Sequence, residues 1–250
     1  MSVEYDHSLN VHTLEGPRAA LPQFFPDEKP QSILDVGCGN GTWLNAAIEF
    51  GIRDVVGVDG VKIPRERLHV ARNLIKIHNL TRPWNLNKKF DAVICLEVAE
   101  HLDCDHADSL IASLVRHGEK IFFSAACPEQ LGQHHVNCQW PSYWQHLFNL
   151  HGYVCEDKLR WEIWDDSRIE PWYRQNLFVA RKAPEIAGRE TRIKSVVHPE
   201  IWKLGIHQSS LGTFDEYLKQ IEKGRMSVSW YSSVPIKGLW AKLMRRLRMS

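Results

Sequence analysis

Short apolar runs recur along the chain, separated by stretches in which apolar side chains return every three or four positions. The runs Ser32–Val36, Val55–Val58, Asn73–Ile77, Phe90–Cys95 and Lys120–Ser124 are strand-like, and Tyr153–Cys155 and Gln175–Ala180 read as closing strands. Between them, Thr42–Phe50, Ser109–His117 and Pro141–Leu150 carry helical periodicity, the last with Pro141 in its first turn, where a missing N–H costs nothing. Strands alternating with helices predict βαβ units, hence an α/β fold with a doubly wound parallel sheet and right-handed crossovers. Strands apolar on both faces predict a sheet covered by helices on both sides.

After Ala180 the pattern changes. Arg181–Lys194 is polar and basic, with Pro184 and Gly188, and reads as a linker or surface excursion. Thr213–Lys223 is a short helix candidate with Thr213 as N-cap and Glu216 at the capping-box position. Gly238–Arg248 sets Leu239, Trp240, Leu243, Met244 and Leu247 at helical spacing among Lys242, Arg245, Arg246 and Arg248. The pattern divides the chain near residue 183, into a domain over 1–183 and an extension over 184–250 ending in a basic amphipathic helix.

Composition narrows the function. Lys and Arg total 31 against 30 Asp and Glu, so the net charge of +1 argues against nucleic acid as a general partner. The six cysteines form no C-x-x-C pair, and several sit in apolar runs, as reduced buried thiols do. Neither a leader-like apolar segment nor a run of the ~20 residues that spans a bilayer is visible, which predicts a cytoplasmic protein. The C-terminal basic helix leaves two readings open: peripheral contact with the anionic inner face of a membrane, or a solvated helix packed on the domain.

Chemistry concentrates first at Asp35-Val36-Gly37-Cys38-Gly39-Asn40-Gly41, a strand running through a glycine hinge into a helix. Glycines let the backbone approach a ligand closely, and a helix N-terminus favours electron-rich groups. A dinucleotide fingerprint would need glycine at position 42, which is Thr42. The second strand leads to Asp59-Gly60, where a carboxylate can accept both hydroxyls of a ribose. The acidic residue followed by G-x-G-x-G resembles the first motif of class I S-adenosylmethionine-dependent methyltransferases, and Phe90–Glu97 resembles their fourth-strand motif. That resemblance implies a Rossmann-like, seven-stranded, mostly parallel sheet with an antiparallel last strand. It also implies S-adenosylmethionine as cofactor, bound by Asp35, Gly37, Cys38, Gly39, Asn40, Gly41, Asp59, Gly60, Asn79, Leu80, Leu96 and Glu97. Many members carry Asp where this chain has Asn79, and an amide there can still contact the adenine.

A second constellation follows the fourth strand, in Glu97-Val98-Ala99-Glu100-His101. On a helix, spacings of three and four would put Glu97, Glu100 and His101 on one face. With His135, or alternatively His134, they could hold Mg²⁺ or Mn²⁺. The segment resembles metal-dependent O-methyltransferases, among them small-RNA 3′-terminal ribose enzymes and ubiquinone-pathway catechol enzymes. The same residues also admit a metal-free reading, in which Glu97 lines the methionine end of the cofactor and His101 or a histidine of the 134/135 pair is the general base. Catalytic candidates are therefore Glu100, His101 and His135.

The acceptor side is read from Gly132–Trp144 and from Trp161, Trp164, Asp165, Asp166, Glu170, Trp172, Tyr173 and Arg174, where aromatic faces and polar groups suit a sugar ring. Trp144, Leu147 and Phe148, at helical spacing, belong instead to the core. Residues 132–178 resemble methyltransferases of bacterial surface-glycan biosynthesis, which implies a small-molecule or glycan acceptor. Ribose 2′-O-methylation of RNA and a non-catalytic cofactor-binding scaffold stand as alternatives.

Overall fold

The computed structural model describes Tyr5 and residues 13–205. Seven strands, β1 (Ser32–Val36), β2 (Asp54–Asp59), β3 (Ile75–Ile77), β4 (Ala92–Leu96), β5 (Lys120–Ser124), β6 (Tyr153–Glu156) and β7 (Phe178–Lys182), form one sheet in the order β3-β2-β1-β4-β5-β7-β6. All pairings are parallel except those of β7, which runs antiparallel to both β5 and β6. The order reverses between β1 and β4. In open α/β sheets the crevice at the carboxyl ends of such a strand pair is where ligands bind.

Adjacent strand residues feed opposite faces, the period of two expected of a pleated strand. Leu34 and Phe123 belong to the layer with Trp144 and Phe148 of α4 (Pro141–Leu150) and with α3 (Ala107–His117). Their neighbours Ile33 and Phe122 belong to the layer with α1 (Glu15–Phe24), α2 (Thr42–Phe50) and α5 (Lys158–Glu162). Phe122 and Phe123 are both fully buried, each stabilising the fold by ~1.5–3 kcal/mol. Trp144 and Phe148 are core, with Leu147 packed against them, as their spacing implied.

Three differences from the sequence pattern bear on the site. The helix α1 lies where no periodic element is read from the sequence; it holds Pro22 in its interior, and Leu21 and Phe24 bury its inner face. Gln175 and Asn176 end a further helix, α6 (Pro171–Asn176), rather than opening β7. Pro171 at its first turn preorganises that helix, and Leu177 breaks it with an extended backbone. Residues 184–202 are no free linker: Glu190 accepts hydrogen bonds from Asn149 and Gln145, Ile193 is buried, and His198 packs beside Arg174. The described residues up to Trp202 therefore form one compact unit, and the boundary drawn at 183 falls inside it. The second unit begins at Lys203, and the helix candidates Thr213–Lys223 and Gly238–Arg248 lie outside the described residues. Among the described residues, no helix is long and apolar enough to cross a membrane.

Candidate active site

A cavity of about 440 Å³ opens at the switch point. Its floor is the turn after β1. Gly37 and Gly41 have φ of +74° and +85°, and a Cβ on Gly37 would stand 2.2 Å from Val98 Cγ2, so a side chain is excluded by both conformation and space. Gly37 N–H donates to the Val58 carbonyl at 2.7 Å, while Gly39 N–H donates to Asp59 Oδ2 at 2.8 Å. Asp59 Oδ1 accepts from Val61 N–H at 2.7 Å, so one carboxylate ties the glycine turn to the end of β2. Asp35 lies beneath, 3% exposed, and its Oδ2 accepts no hydrogen bond from the described residues. Burial, with the Asp59 charge beside it, pushes its pKa up to about 8. Asn79 Oδ1 is occupied by the N–H and hydroxyl of Thr81, an Asx turn that fixes the amide at the rim.

The second part of the site forms where β4 ends. Glu97 adopts φ +54°, turning the chain into a 3₁₀ turn over Ala99–His101 rather than a longer helix. Its carboxylate accepts from Gln130 Nε2 at 3.0 Å and Asn176 Nδ2 at 3.1 Å, and burial, offset by these bonds, leaves its pKa at about 7. Glu100 is completely buried. Its Oε1 accepts from Ala126 N–H at 3.1 Å, its Oε2 accepts no hydrogen bond from the described residues, and burial with the Glu97 charge drives its pKa well up. The Glu100 carbonyl accepts from the amides of Val136 and Asn137, at 2.9 and 3.0 Å, which draws the 132–137 loop onto the site.

That loop delivers His135. The rings of His101 and His135 meet edge to face with centroids 5.0 Å apart, and Gly132 has no Cβ where His135 Nε2 lies. His101 Nδ1 is 3.3 Å from the His134 carbonyl and His135 Nδ1 is 2.9 Å from the Gln130 carbonyl. The His135 contact assigns the Nδ1–H tautomer to that ring and leaves its Nε2 lone pair as a ligand, while His101 lies against the backbone of both His134 and Gln133. Burial, assisted by His135, holds His101 down at about 4, and burial lowers His135 as well, so both imidazoles are neutral at pH 7. One donor atom from each of Glu100, His101 and His135 lies within 4.8 Å of the others. Glu97 stands outside this cluster, engaged with Gln130 and Asn176, and His134 contributes its carbonyl while its side chain is exposed.

Carboxylate and neutral imidazole donors around a buried oxygen without a hydrogen-bond donor fit a hard or borderline divalent cation.

Most of the residues read from sequence reach the cavity wall: Asp35, Gly37, Cys38, Gly39, Asp59, Gly60, Asn79, Leu80, Leu96, Glu97, Glu100, His101 and His135. Asn40 and Gly41 do not; the Asn40 carbonyl accepts from His69 N–H, and Gly41 packs beneath Val70 as the N-cap of α2. Of the aromatic stretch, Glu170, Trp172 and Tyr173 line the cavity. Trp161 is 48% exposed, and Trp164 packs against His198 with its ring tilted. Arg174 is a buried clamp on the carbonyls of Trp164 and Ile169 and on Glu200. Residues missed in the sequence are Tyr5, Thr13 and Pro17, Trp43 at the start of α2, and Gln130 with its partner Asn176. They carry no local motif; tertiary packing alone brings them here.

The methyltransferase-domain family matches residues 9–170 of the chain. The ubiquinone biosynthesis O-methyltransferase of Rickettsia canadensis is 31% identical over 116 residues, 44% of this chain and 48% of that protein. Its counterpart in Coxiella burnetii is 30% identical over 110 residues, 38% of this chain and 44% of that protein. The chain thus spans just under half the length of these relatives. Among solved structures, Streptomyces venezuelae DesVI superposes with a TM-score of 0.52 at 15% identity, over 68% of this chain and 92% of that one. The sugar N-methyltransferase KedS8 of Streptoalloteichus gives 0.51 at 16% identity, over 68% and 86%. At such identities the likeness is one of fold.

Proposed function

The chain belongs to the methyltransferase-domain family, and from that premise we propose that it transfers the methyl group of S-adenosylmethionine to a hydroxyl of a sugar or glycan acceptor. One observation carries the reading: a nucleoside-shaped turn and a carboxylate–imidazole cluster line the same cavity. The O-methyltransferase activity for which the sequence relatives are named supports oxygen as the acceptor atom.

A carboxylate has about four acceptor positions, enough for Asp59 to keep its two backbone amides and receive two ribose hydroxyls. Asn79 then stands at the adenine edge, and Leu96 and Glu97 lie where the sulfonium would pass. Transfer forms the O–CH₃ bond as the S–CH₃ bond breaks, releasing S-adenosylhomocysteine and leaving the acceptor's proton to be removed. Alignment of the hydroxyl with the methyl carbon supplies most of the acceleration. His101 and His135, neutral and steered by their carbonyl contacts, are the proton acceptors within reach. Alternatively Glu100, His101 and His135 would hold a Mg²⁺ or Mn²⁺ ion; the two imidazoles would then be ligands rather than bases, and the ion would lower the pKa of the acceptor hydroxyl. Tyr5, packed edge-on against His101, and Gln133 line the same end of the cavity, an aromatic and an amide suited to a sugar.

The test is transfer of label from [methyl-¹⁴C]-S-adenosylmethionine to a panel of sugars, glycolipids, catechols and RNA, with NMR location of the methyl group. An O-methylated sugar is the expected product. Exclusive N-methylation, or transfer to RNA alone, would overturn the reading.

A further inference from the structure

The cavity wall holds, besides Glu97, a carboxylate that neither the glycine turn nor the histidine cluster uses. Glu170 begins α6, and its Oε1 accepts a hydrogen bond from the Thr13 hydroxyl at 2.7 Å. Its Oε2 is buried and has no hydrogen-bond partner among the described residues. The space it occupies depends on α1: a Cβ on Gly16 would stand 1.8 Å from Glu170 Oε2. A buried carboxylate oxygen on a residue of the cavity wall, left without a donor among the described residues, is costly unless a ligand brings one.

The position of Glu170 indicates which ligand group that is. Tyr173, on the same short helix, packs edge-on against Trp43, which opens α2 directly after the glycine turn, with ring centroids 5.4 Å apart. Glu170 therefore lies at the end of α6 that faces α1 and the start of α2 beside the glycine turn, while the other end of α6 meets Gln130 through Gln175 and Asn176. A cofactor whose ribose rests on Asp59 directs its amino-acid tail past the glycine turn, and that tail carries an ammonium. Each of the other cavity carboxylates already has partners or favours its neutral form. Asp59 serves two backbone amides, Glu97 serves Gln130 and Asn176, Glu100 faces the two imidazoles, and Asp35 is buried beside the Asp59 charge, which favours its neutral form.

We propose that Glu170, steadied by Thr13 and admitted by Gly16, is the counter-charge that receives the α-ammonium of the S-adenosylmethionine tail. The proposal rests on the methyl-transfer reading and assigns a positioning residue within it.

Two nucleosides separate the tail from the rest of the cofactor: S-adenosylhomocysteine carries the ammonium, and 5′-methylthioadenosine lacks the amino-acid group. In calorimetric titrations of the full chain, Glu170→Gln should weaken S-adenosylhomocysteine by about tenfold or more and leave 5′-methylthioadenosine unchanged, since it removes one charge-assisted hydrogen bond. Gly16→Ala provides an independent route. Alanine is the better helix former, so the fold is kept, while its methyl group displaces the Glu170 carboxylate. It should show the same selective loss with an undiminished melting temperature. Wild-type affinity of Glu170→Gln for S-adenosylhomocysteine, or equal losses for both nucleosides, would overturn the assignment. A wild-type chain that binds neither nucleoside would instead sink the methyl-transfer reading itself.

Discussion

Asp59→Asn is the sharpest perturbation of the cofactor turn, because the change is isosteric and its cost can be worked from two hydrogen bonds. The carboxylate receives Gly39 N–H at 2.8 Å on one oxygen and Val61 N–H at 2.7 Å on the other, at a position 5% exposed. Asparagine keeps one acceptor oxygen, so in either amide orientation an NH₂ group faces a buried backbone N–H. An unsatisfied buried donor costs about 1–3 kcal/mol. For a chain of this size each kcal/mol lowers Tm by about 2–4 °C, so the ligand-free variant should melt about 2–12 °C below the wild type. Asp59→Ala strands both amides and should lose roughly twice as much. Both variants should also bind S-adenosylhomocysteine at least about tenfold more weakly, since the ribose loses a charged acceptor. Circular-dichroism melts without ligand, followed by calorimetry, separate the two effects. A ligand-free Asp59→Asn protein melting with the wild type would mean the two amide bonds do not hold the turn, and the logic of the site's floor would fail.

Other predictions follow from the same geometry. Asp35, protonated in the fold up to about 8 against an ordinary 3.8, makes the folded chain hold a proton that the unfolded chain has lost, so stability falls as pH rises through that window. Asp35→Asn should flatten the fall in a Tm–pH profile of the metal-free protein, and an unchanged slope would count against it. His101 has the opposite sign: held at about 4 rather than 6.5, it stays neutral in the fold while the unfolded chain protonates, so stability rises with pH between those values. His101→Ala should remove that rise under the same conditions. Gly132→Ala places a methyl group 2.1 Å from His135 Nε2 and should abolish Mn²⁺ binding in calorimetry while S-adenosylhomocysteine still binds; full Mn²⁺ affinity would detach His135 from the cluster. Arg174→Ala frees the carbonyls of Trp164 and Ile169 and should cost about 2–4 kcal/mol in urea unfolding, whereas an acceptor-binding arginine would leave stability intact.

The sheet was legible because its strands are apolar on both faces, and β1, α2, β5 and α4 start and stop where the periodicity does. The glycine turn was legible because only glycine tolerates Gly37's backbone beside Val98. What escaped was set by long-range packing. The hydrogen bond from Thr13 to Glu170 joins residues 157 positions apart, and Asn176 reaches Glu97 from across the sheet. The Glu97–His101 spacing pointed to the right residues for the wrong reason. A 3₁₀ turn after a positive φ gathers Glu100 and His101, and it leaves Glu97 beside Glu100 but bonded to Gln130 and Asn176.

A crystal structure grown with S-adenosylhomocysteine and Mn²⁺, with any metal located by anomalous scattering, decides whether the cavity takes the proposed nucleoside and a divalent cation side by side. The account predicts ribose hydroxyls on Asp59 and an anomalous peak bounded by Glu100, His101 and His135. A nucleoside bound away from the Gly37–Gly41 turn, or a peak elsewhere with these three side chains empty, would contradict it.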